Sequence, residues 1–433
     1  MKASILSIVA LSVTVRGVDI RDLPVVRNGS TLLLNNTPWK AVGPNIYWLG
    51  LDENVVPPAG EPYYAPTKAS YPHKGRVTEA MAVVKAMGGT MIRAHTLGVS
   101  TGNPLSLMPS GGKINPQAFD AIDWAVWQAR QYGLRLMIPL TDNFDYYHGG
   151  KYDFLRWNGF NLNRARDEKN PAVQNFYTNP KVVGSFKEYI RVLLTHVNPL
   201  TNLTYAQDPT IFAYETGNEL CGPVWKDQDV PVEWITDIGR LIKELAPQKL
   251  FVDGTYGVNK SHLAIAEVDI YSNHYYPISI NQLKQDVALV ATANKTYYAG
   301  EYAWNRPSST ADGDLVSWFR EIENSGVVVG DSFWSLFGRA VPDCDVSTCP
   351  TGWGGAEPPL PPALREESRF DIPQKFVDHN DGLTMQYGNP AHEAQIKLVR
   401  QHFIKMSQGV SIGAAAELPH VPCLAALAPP PER

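Results

Sequence analysis

One pattern repeats along most of this chain: a stretch with helical periodicity, a Gly or Pro break, and a short apolar run that ends in polar or aromatic residues. Short apolar runs that alternate with helical stretches are typical of the buried strands of a parallel sheet. Such runs occur at residues 41–48, 90–96, 135–143, 211–219, 249–254, 268–276, 296–304 and 327–337. Eight parallel strands with helices between them predict an α/β fold, a single (β/α)8 TIM barrel, whose chemistry lies at the C-terminal ends of the strands.

Helical periodicity and turn residues predict the elements around these strands. Helices are expected at residues 76–87, 117–132, 181–197, 232–245, 312–324 and 391–406. Before the first barrel strand, aliphatic and polar residues alternate between turn signals at Asn28-Gly29 and Asn35-Asn36, which predicts an N-terminal hairpin. Residues 49–75 and 338–390 are long and irregular, and we expect them to form long loops at the C-terminal face that wall a cleft.

We predict one catalytic barrel domain over residues 25–406, with a leader before it and a tail after it. Residues 3–15 form an apolar run with the length of a secretory signal-peptide core, too short to span a bilayer. We therefore interpret residues 1–17 as a signal peptide of a secreted, extracellular protein; a buried N-terminal strand is the alternative. Residues 407–433 are rich in Ala and Pro and are interpreted as a surface-bound or partly disordered tail.

The composition excludes several classes of partner. Lys and Arg number 38 against 43 Asp and Glu, a formal net charge of −5, which argues against nucleic acid. After the leader, no apolar run is long enough for a membrane helix, so we expect no membrane partner. No G-x-G-x-x-G follows the first strand, which argues against a nucleotide-binding sheet. The sequence contains no metal-ligand cluster or phosphate loop, and we therefore expect no metal and no cofactor. We also expect a monomeric protein.

Aromatic residues, cysteines and sequons add weaker indications. The 11 Trp and 20 Tyr suit the apolar faces of sugar rings, with packing in a large core as the alternative. Cys344 and Cys349 are expected to form a disulfide, whereas pairing of Cys221 with Cys423 stays open. Sequons for N-glycosylation occur at Asn28, Asn35, Asn202, Asn259 and Asn294, which fits a secreted glycoprotein.

Six predicted strands end in polar or aromatic residues that would share one rim of the barrel. They are Arg93, Asn143, Asn218 with Glu219, His274 with Tyr276, Glu301, and Trp334. Glu219 and Glu301 follow the fourth and seventh strands, which can face each other across the mouth. Two carboxylic acids that flank one bond are what glycoside cleavage requires: one protonates the leaving oxygen, and the other attacks the anomeric carbon or activates water. Asn218, next to Glu219, could hold the sugar 2-hydroxyl.

Four motifs carry a resemblance to a known family. YETGNE (214–219), NHYYP (273–277), GEYAW (300–304) and SFW (332–334), together with Arg93, resemble glycoside hydrolase family 5 over roughly residues 25–406. LTDNFDYYHGG (140–150) and the His-x-Tyr-Pro motif are closest to its fungal β-1,4-mannan-active branch. The resemblance implies a retaining enzyme in which Glu219 is the acid/base and Glu301 the nucleophile.

The same resemblance implies roles for the surrounding residues. Arg93 would support the nucleophile, Asn218 would hold the 2-hydroxyl, and His274 and Tyr276 would contact the nucleophile and the reacting sugar. Trp334 would form the floor of subsite −1. We also consider as sugar contacts Asn143, Trp48, Trp304, Trp353, Asp142, Asp145 and His148.

The chain departs from the branch at two places, and these bear on the predicted activity. Phe144 stands where the branch commonly has Trp, and Leu220-Cys221 follows Glu219 where the branch has Pro. We predict a secreted retaining β-glycoside hydrolase that cleaves β-1,4-mannosidic bonds in mannan or manno-oligosaccharides. Exo-acting β-mannosidase and β-1,4-glucanase activity are alternatives, and the non-enzymatic alternative is an inactive carbohydrate-binding barrel. The presence of both carboxylates favours the enzyme.

Overall fold

The structure of this chain is a computed structural model. It describes residues 19–52, 69–72, 74–167, 169–222, 230–305, 311–339, 381–413 and 415–421. Several predictions concern residues outside these ranges: the signal peptide (1–17), Trp353, and the cysteines at 344, 349 and 423.

Eight parallel strands form the predicted barrel. They are β1 (Ala41–Pro44), β2 (Met91–Arg93), β3 (Arg135–Pro139), β4 (Ile211–Glu215), β5 (Leu250–Asp253), β6 (Ile270–Tyr275), β7 (Thr296–Tyr302) and β8 (Val328–Phe333). Their order in the sheet is β1-β8-β7-β6-β5-β4-β3-β2. Backbone hydrogen bonds from Thr90 N to Val42 O (2.8 Å) and from Ile46 N to Arg93 O (3.0 Å) join β1 to β2, the two ends of this order. The predicted (β/α)8 barrel is therefore confirmed.

All six predicted helices are present, with ends within three residues of those expected. The helices are α1 (Lys74–Ala86), α2 (Gln117–Gln131), α3 (Lys151–Trp157), α4 (Arg164–Asp167), α5 (Asn175–Thr178), α6 (Pro180–Thr195), α7 (Val232–Leu245), α8 (Ile280–Ala291), α9 (Leu315–Asn324) and α10 (Glu393–Gln408). Among the described residues, four helices were not expected: α3, α4, α5 and α8. The Ser279 hydroxyl caps α8 by accepting from Gln282 N (3.2 Å). Between β5 and β6 the chain forms only a 3-10 helix, Lys260–Ala264.

The predicted hairpin is part of a three-stranded antiparallel sheet, Val25–Asn28, Thr31–Leu34 and Thr37–Trp39. Asn35 and Asn36 both have positive φ (52° and 59°), as a two-residue turn between antiparallel strands requires. This sheet packs on the N-terminal end of the barrel, where the edge of the Trp39 ring meets Phe212 at 5.2 Å between centroids. The N-terminal end is thereby filled, and polar groups gather at the opposite end.

The segment after α10 contacts the body of the protein where it is described. The Tyr387 hydroxyl donates to Pro419 O, and Arg339 Nη1 donates to Val421 O, each over 2.6 Å. Within the described ranges, no helix combines the length and hydrophobicity that crossing a membrane would require.

A buried ion cluster joins α9, α10 and β8. The ring of His402 contacts Glu323 Oε1 through Nδ1 (2.8 Å) and Asp331 Oδ2 through Nε2 (2.9 Å). It also stacks on Phe319, with ring centroids 4.1 Å apart. Burial opposes the charged imidazolium, but the negative charges of Asp331 and Glu323 prevail and raise the pKa of His402 to about 9.

We expect His402→Gln to change how stability depends on pH. Because the pKa of His402 is higher in the folded state than the usual value near 6.5, its contribution is complete below about pH 6.5 and is lost as the pH rises through 9. That contribution amounts to at most about 3 kcal/mol. Urea unfolding between pH 5.5 and 10 should therefore show a steeper loss of stability above pH 6.5 in the wild type than in His402→Gln. Parallel curves would contradict the assignment.

Candidate active site

The two predicted carboxylates meet at the mouth of the barrel. Glu301 lies within β7, and Glu219 lies in the turn that follows β4. His274 Nδ1 is 2.7 Å from Glu219 Oε1 and 3.5 Å from Glu301 Oε2. One oxygen of each carboxylate and a nitrogen of His274 all lie within 4.8 Å of one another. Glu219, Glu301 and His274 thus form the centre of the site.

Arg93 fixes Glu301 from the end of β2. Its guanidinium is fully buried and donates to Glu301 Oε1 (2.7 Å), Glu215 Oε2 (2.8 Å), Asn45 Oδ1 (3.0 Å) and Asn218 Oδ1 (3.0 Å). Charge-assisted bonds of this kind orient both partners strongly. Arg93 therefore contacts Glu301, the residue that it was predicted to support.

Strand register places the second support of Glu301. In the parallel pairing of β6 with β7, a register shift after Asn273 sets His274 opposite Glu301. Tyr276, two residues further, donates its hydroxyl to Glu301 Oε2 (2.8 Å). The two oxygens of Glu301 are held by different donors, Arg93 on one and Tyr276 on the other, which leaves the carboxylate little freedom to rotate.

The turn that carries Glu219 has an unusual backbone. Glu219 and Cys221 have φ of 51° and 57°, in the left-handed region that costs a residue with a side chain about 1–2 kcal/mol. Asn143 holds this turn: its Nδ2 donates to Gly222 O (2.7 Å), and its Oδ1 accepts from Lys151 Nζ (2.5 Å). Asn143, predicted to bind substrate, is buried as a support of the turn, and its contact with a sugar stays a prediction.

Asn218 is fixed at both ends of its amide. Its Oδ1 accepts from Arg93, and its Nδ2 donates to Asp142 Oδ1 (3.2 Å). Swapping the two amide ends would break both bonds, so the orientation of the side chain is defined. The predicted neighbour of Glu219 is therefore part of the same hydrogen-bonded network as Glu301.

The tryptophans divide into rim and core positions. Trp334 is half-buried at the end of β8; its indole N–H donates to Asp381 Oδ2 (2.6 Å), and its ring stacks with Tyr47. Trp304 is only 3% exposed, and its N–H donates to Leu383 O (2.5 Å). Trp48 is fully buried beneath the guanidinium of Arg76. Burial argues against the predicted sugar stacking by Trp304 and Trp48.

The sequence analysis did not single out three residues around Arg93: His95, Glu215 and Asn45. His95 is 3.3 Å from Arg93 Nη1 and 3.6 Å from Glu301 Oε1 through its Nε2, and its ring meets the face of Trp334 edge-on. His95 follows Arg93 by two positions, and Glu215 stands inside the YETGNE motif as the last residue of β4. The nearness of His95 to Arg93 and of Glu215 to Glu219 in the sequence is the signal that could have identified both.

Burial raises the pKa of both carboxylates, and the charged groups around them differ. Burial and the negative charge of Asp142 raise the pKa of Glu219 to about 7. Burial also raises the pKa of Glu301, but Arg93 and the Tyr276 hydroxyl oppose that rise. Burial lowers the pKa of His274 to about 4, so its ring is neutral near pH 6. A protonated Glu219 beside an ionised Glu301 is the division of roles that acid-assisted nucleophilic substitution needs.

The same three side chains could in principle ligate a cation, since Glu219, His274 and Glu301 form the one such donor group among the residues described. Both oxygens of Glu301, however, already accept hydrogen bonds from Arg93 and Tyr276. The arrangement therefore suits proton transfer and nucleophilic attack better than metal ligation.

The chain is similar in sequence to known proteins over about half of its length. Residues 62–281 match a family model described as GH family 5 beta-mannosidase-like. Mannan endo-1,4-beta-mannosidases 1 and 2 of Oryza sativa subsp. japonica are 29% and 30% identical to this chain, over 53% and 59% of it and 49% and 53% of their own lengths. The chain thus spans about half the length of the curated relatives it matches.

Two solved structures share the fold over most of the chain. The endo-1,4-beta-mannanase from Rhizomucor miehei gives a TM-score of 0.63 at 21% identity and covers 88% of this chain and 99% of its own. The endo-beta-1,4-mannanase from Thermotoga petrophila gives 0.62 at 18% identity, with 87% and 78% covered. At these identities the likeness shows the barrel fold alone.

Arg93→Met should destabilise the protein by about 3–5 kcal/mol, because Glu215 and Glu301 would stay buried without their counter-charge. Adding Glu215→Gln should recover part of this loss by neutralising one stranded carboxylate. Urea unfolding at pH 7 measures both effects. Arg240→Met is the control: its side chain is 72% exposed, and its pair with Glu267 should contribute less than about 1 kcal/mol. Equal losses in Arg93→Met and Arg240→Met would refute the role of the buried cluster.

Proposed function

Because this chain belongs to glycoside hydrolase family 5, in its beta-mannosidase-like group, we propose that it is a retaining glycosidase that cleaves β-1,4-mannosidic bonds in mannan or manno-oligosaccharides. The observation that carries this proposal is the approach of Glu219 and Glu301 to within 4.8 Å, oxygen to oxygen. Carboxyl groups lie about 5–5.5 Å apart in retaining glycosidases, and about 6.5–9.5 Å apart where a water must fit between nucleophile and sugar. The short separation supports direct attack by a carboxylate.

In the first step Glu301 attacks the anomeric carbon while Glu219 gives its proton to the glycosidic oxygen. The glycosidic C–O bond breaks, an ester bond to Glu301 forms, and the leaving sugar departs as an alcohol. In the second step Glu219, now ionised, takes a proton from water, and the resulting attack releases the sugar and frees Glu301. Both steps invert the anomeric carbon, so the overall configuration is retained.

The surrounding residues support these steps. Arg93 and Tyr276 orient Glu301 and favour its ionised form, and Asn218 would hold the sugar 2-hydroxyl, a contact that strengthens in the transition state. Neutral His274 lies against Glu219 and can share its proton without adding charge. Trp334 would lie beneath the reacting sugar.

Mannan is the proposed substrate because the two similar proteins of Oryza sativa are named as mannan endo-1,4-beta-mannosidases. The departure at Phe144 bears on this choice: Arg164 lies over its ring at 3.7 Å, and Tyr146 stacks with it at 5.2 Å. Exo-acting β-mannosidase and β-1,4-glucanase action are the alternatives on the same pair of carboxylates. A carbohydrate-binding barrel without activity is the alternative of another class.

We extend the proposal to secretion, on the signal-peptide-like apolar run at residues 3–15. The sequon residues Asn28, Asn35, Asn202 and Asn294 are exposed, as glycosylation requires, whereas Asn259 is half-buried. Cys221 is buried, with Sγ 3.6 Å from the Tyr177 hydroxyl; the disulfides stay predictions.

The two carboxylate roles predict different responses to azide. Glu219→Ala should regain turnover of an aryl β-mannoside with a good leaving group when azide is added, because azide replaces the base in the second step. Glu301→Ala should lose turnover, and azide should not restore a product of retained configuration. Aryl release and product NMR measure both. The same azide response in the two variants would contradict the assignment.

Product analysis on manno-oligosaccharides and cello-oligosaccharides, run side by side, should show cleavage of the manno series and release of the β-anomer first in proton NMR. Internal fragments would establish endo action, and single mannose units would establish exo action. Faster cleavage of the cello series would replace mannan by glucan as the substrate. Binding of mannohexaose without cleavage of either series would favour the binding-barrel alternative.

A further inference from the structure

A chain of hydrogen bonds leads away from the carboxylate pair on the side of β3. Arg93 donates to Asn218, Asn218 donates to Asp142 Oδ1 (3.2 Å), and Asp142 Oδ2 contacts His148 Nε2 at 3.1 Å. Asp142 and His148 are only 1% and 3% exposed. Neither touches Glu301, so this pair is not part of the chemistry derived above.

The hydrogen bonds of Asp142 suit its carboxylate form. Its Oδ1 accepts from Phe144 N (2.9 Å) and from Asn218 Nδ2, and its Oδ2 faces His148 Nε2. Phe144 N and Asn218 Nδ2 can only donate, so Oδ1 is an acceptor, and Oδ2 of the carboxylate can accept from His148 Nε2. His148 completes the set as the tautomer with its proton on Nε2, and its Nδ1 has no partner among the described residues.

We propose that Asp142 is a positioning residue that keeps Glu219 protonated until catalysis, through its negative charge, and that fixes the amide of Asn218. The inference rests on the proposed function and assigns a regulator to its acid/base. Asp142 acts from behind Asn218, and the substrate would meet only the groups that it orients.

Charged and titratable groups face Glu219 from several elements. They are Arg93 on β2, Asp142 after β3, Arg164 on α4, His274 on β6 and Glu301 on β7, with the hydroxyls of Tyr146 and Tyr256 nearby. The two arginines favour the ionised form of Glu219, and the two carboxylates oppose it. Burial and Asp142 together raise the pKa of Glu219 to about 7. Removing the charge of Asp142 should therefore shift the balance towards ionisation.

Asp142→Asn removes the charge with almost no change of shape. The new amide oxygen can still accept from Phe144 N and Asn218 Nδ2, and its NH₂ can donate to His148 Nε2 once the imidazole proton moves to Nδ1. Asp145→Asn is the matched control on the same loop, because Asp145 instead accepts from Arg156 Nη1 (2.8 Å) and Nη2 (2.9 Å).

The test is the pH dependence of kcat/KM on a manno-oligosaccharide, whose sugar leaving group needs the proton of the acid. In a retaining mechanism the basic limb reports the acid, so Asp142→Asn should shift this limb to lower pH by roughly one unit, about a tenfold loss of activity above it. Asp145→Asn should leave the limb in place. An unshifted limb in a cooperatively melting Asp142→Asn protein would overturn the proposal, and so would equal shifts in both variants.

A second readout separates this inference from the proposed function. In protein labelled with ¹³C at the Glu carboxyl carbon, the Glu219 signal, assigned through Glu219→Gln, should titrate at lower pH in Asp142→Asn than in the wild type. This holds whether or not the protein hydrolyses mannosides. If the wild type is inactive but the Glu219 titration shifts in Asp142→Asn, the proposed substrate alone is refuted. If the wild type is active but the titration does not shift in Asp142→Asn, the role of Asp142 is refuted.

Discussion

The buried guanidinium of Arg93 is the interaction on which the rest of the site depends. A cation in the interior is stable only where carboxylates and further acceptors surround it, and Arg93 has Glu215 on β4 and Glu301 on β7. Its planar fork of donors also reaches Asn45 after β1 and Asn218 after β4. Lys could not replace it, because one ammonium group cannot reach four acceptors in these directions. One side chain thereby fixes the relative positions of four strand ends.

The paired strands of the closed barrel fix the positions of some side chains of this cluster, and an irregular turn at the rim supplies the others. Within the sheet, pairing of β6 with β7 sets His274 opposite Glu301 without any loop. Glu219, by contrast, stands at φ 51° in a turn that Asn143 ties back through Gly222 O. Strained backbone of this kind persists where the surrounding bonds over-determine it, as they do here. The position of Glu301 thus comes from the strands, and the position of Glu219 comes from a supported turn.

The strands and both carboxylates could be predicted from the sequence, because strands buried on both faces appear as short apolar runs whose C-terminal residues must share one rim. Helix α8 was missed although Ser279 provides an N-cap and Leu283 and Val290 are buried on one face of the helix. Position at a strand end does not determine which partner a side chain finds. Asn143 bonds to the turn of Glu219, and Trp304 bonds to Leu383 O, where sugar contacts were expected. His95 and Glu215 were overlooked because hydrophobic periodicity does not indicate which polar residues of a strand segment contact the site.

The carboxylates of the network differ in their hydrogen-bond donors, and this difference accompanies the rise in the pKa of Glu219 to about 7, whose main cause is burial. Glu215 and Glu301 accept from the guanidinium of Arg93, and Asp142 accepts from a backbone N–H and an amide. Donors of this kind stabilise the ionised form. Among the described hydrogen bonds, Glu219 has His274 Nδ1 as its partner, and that ring is neutral near pH 6. Burial together with few donors therefore favours the protonated form of Glu219.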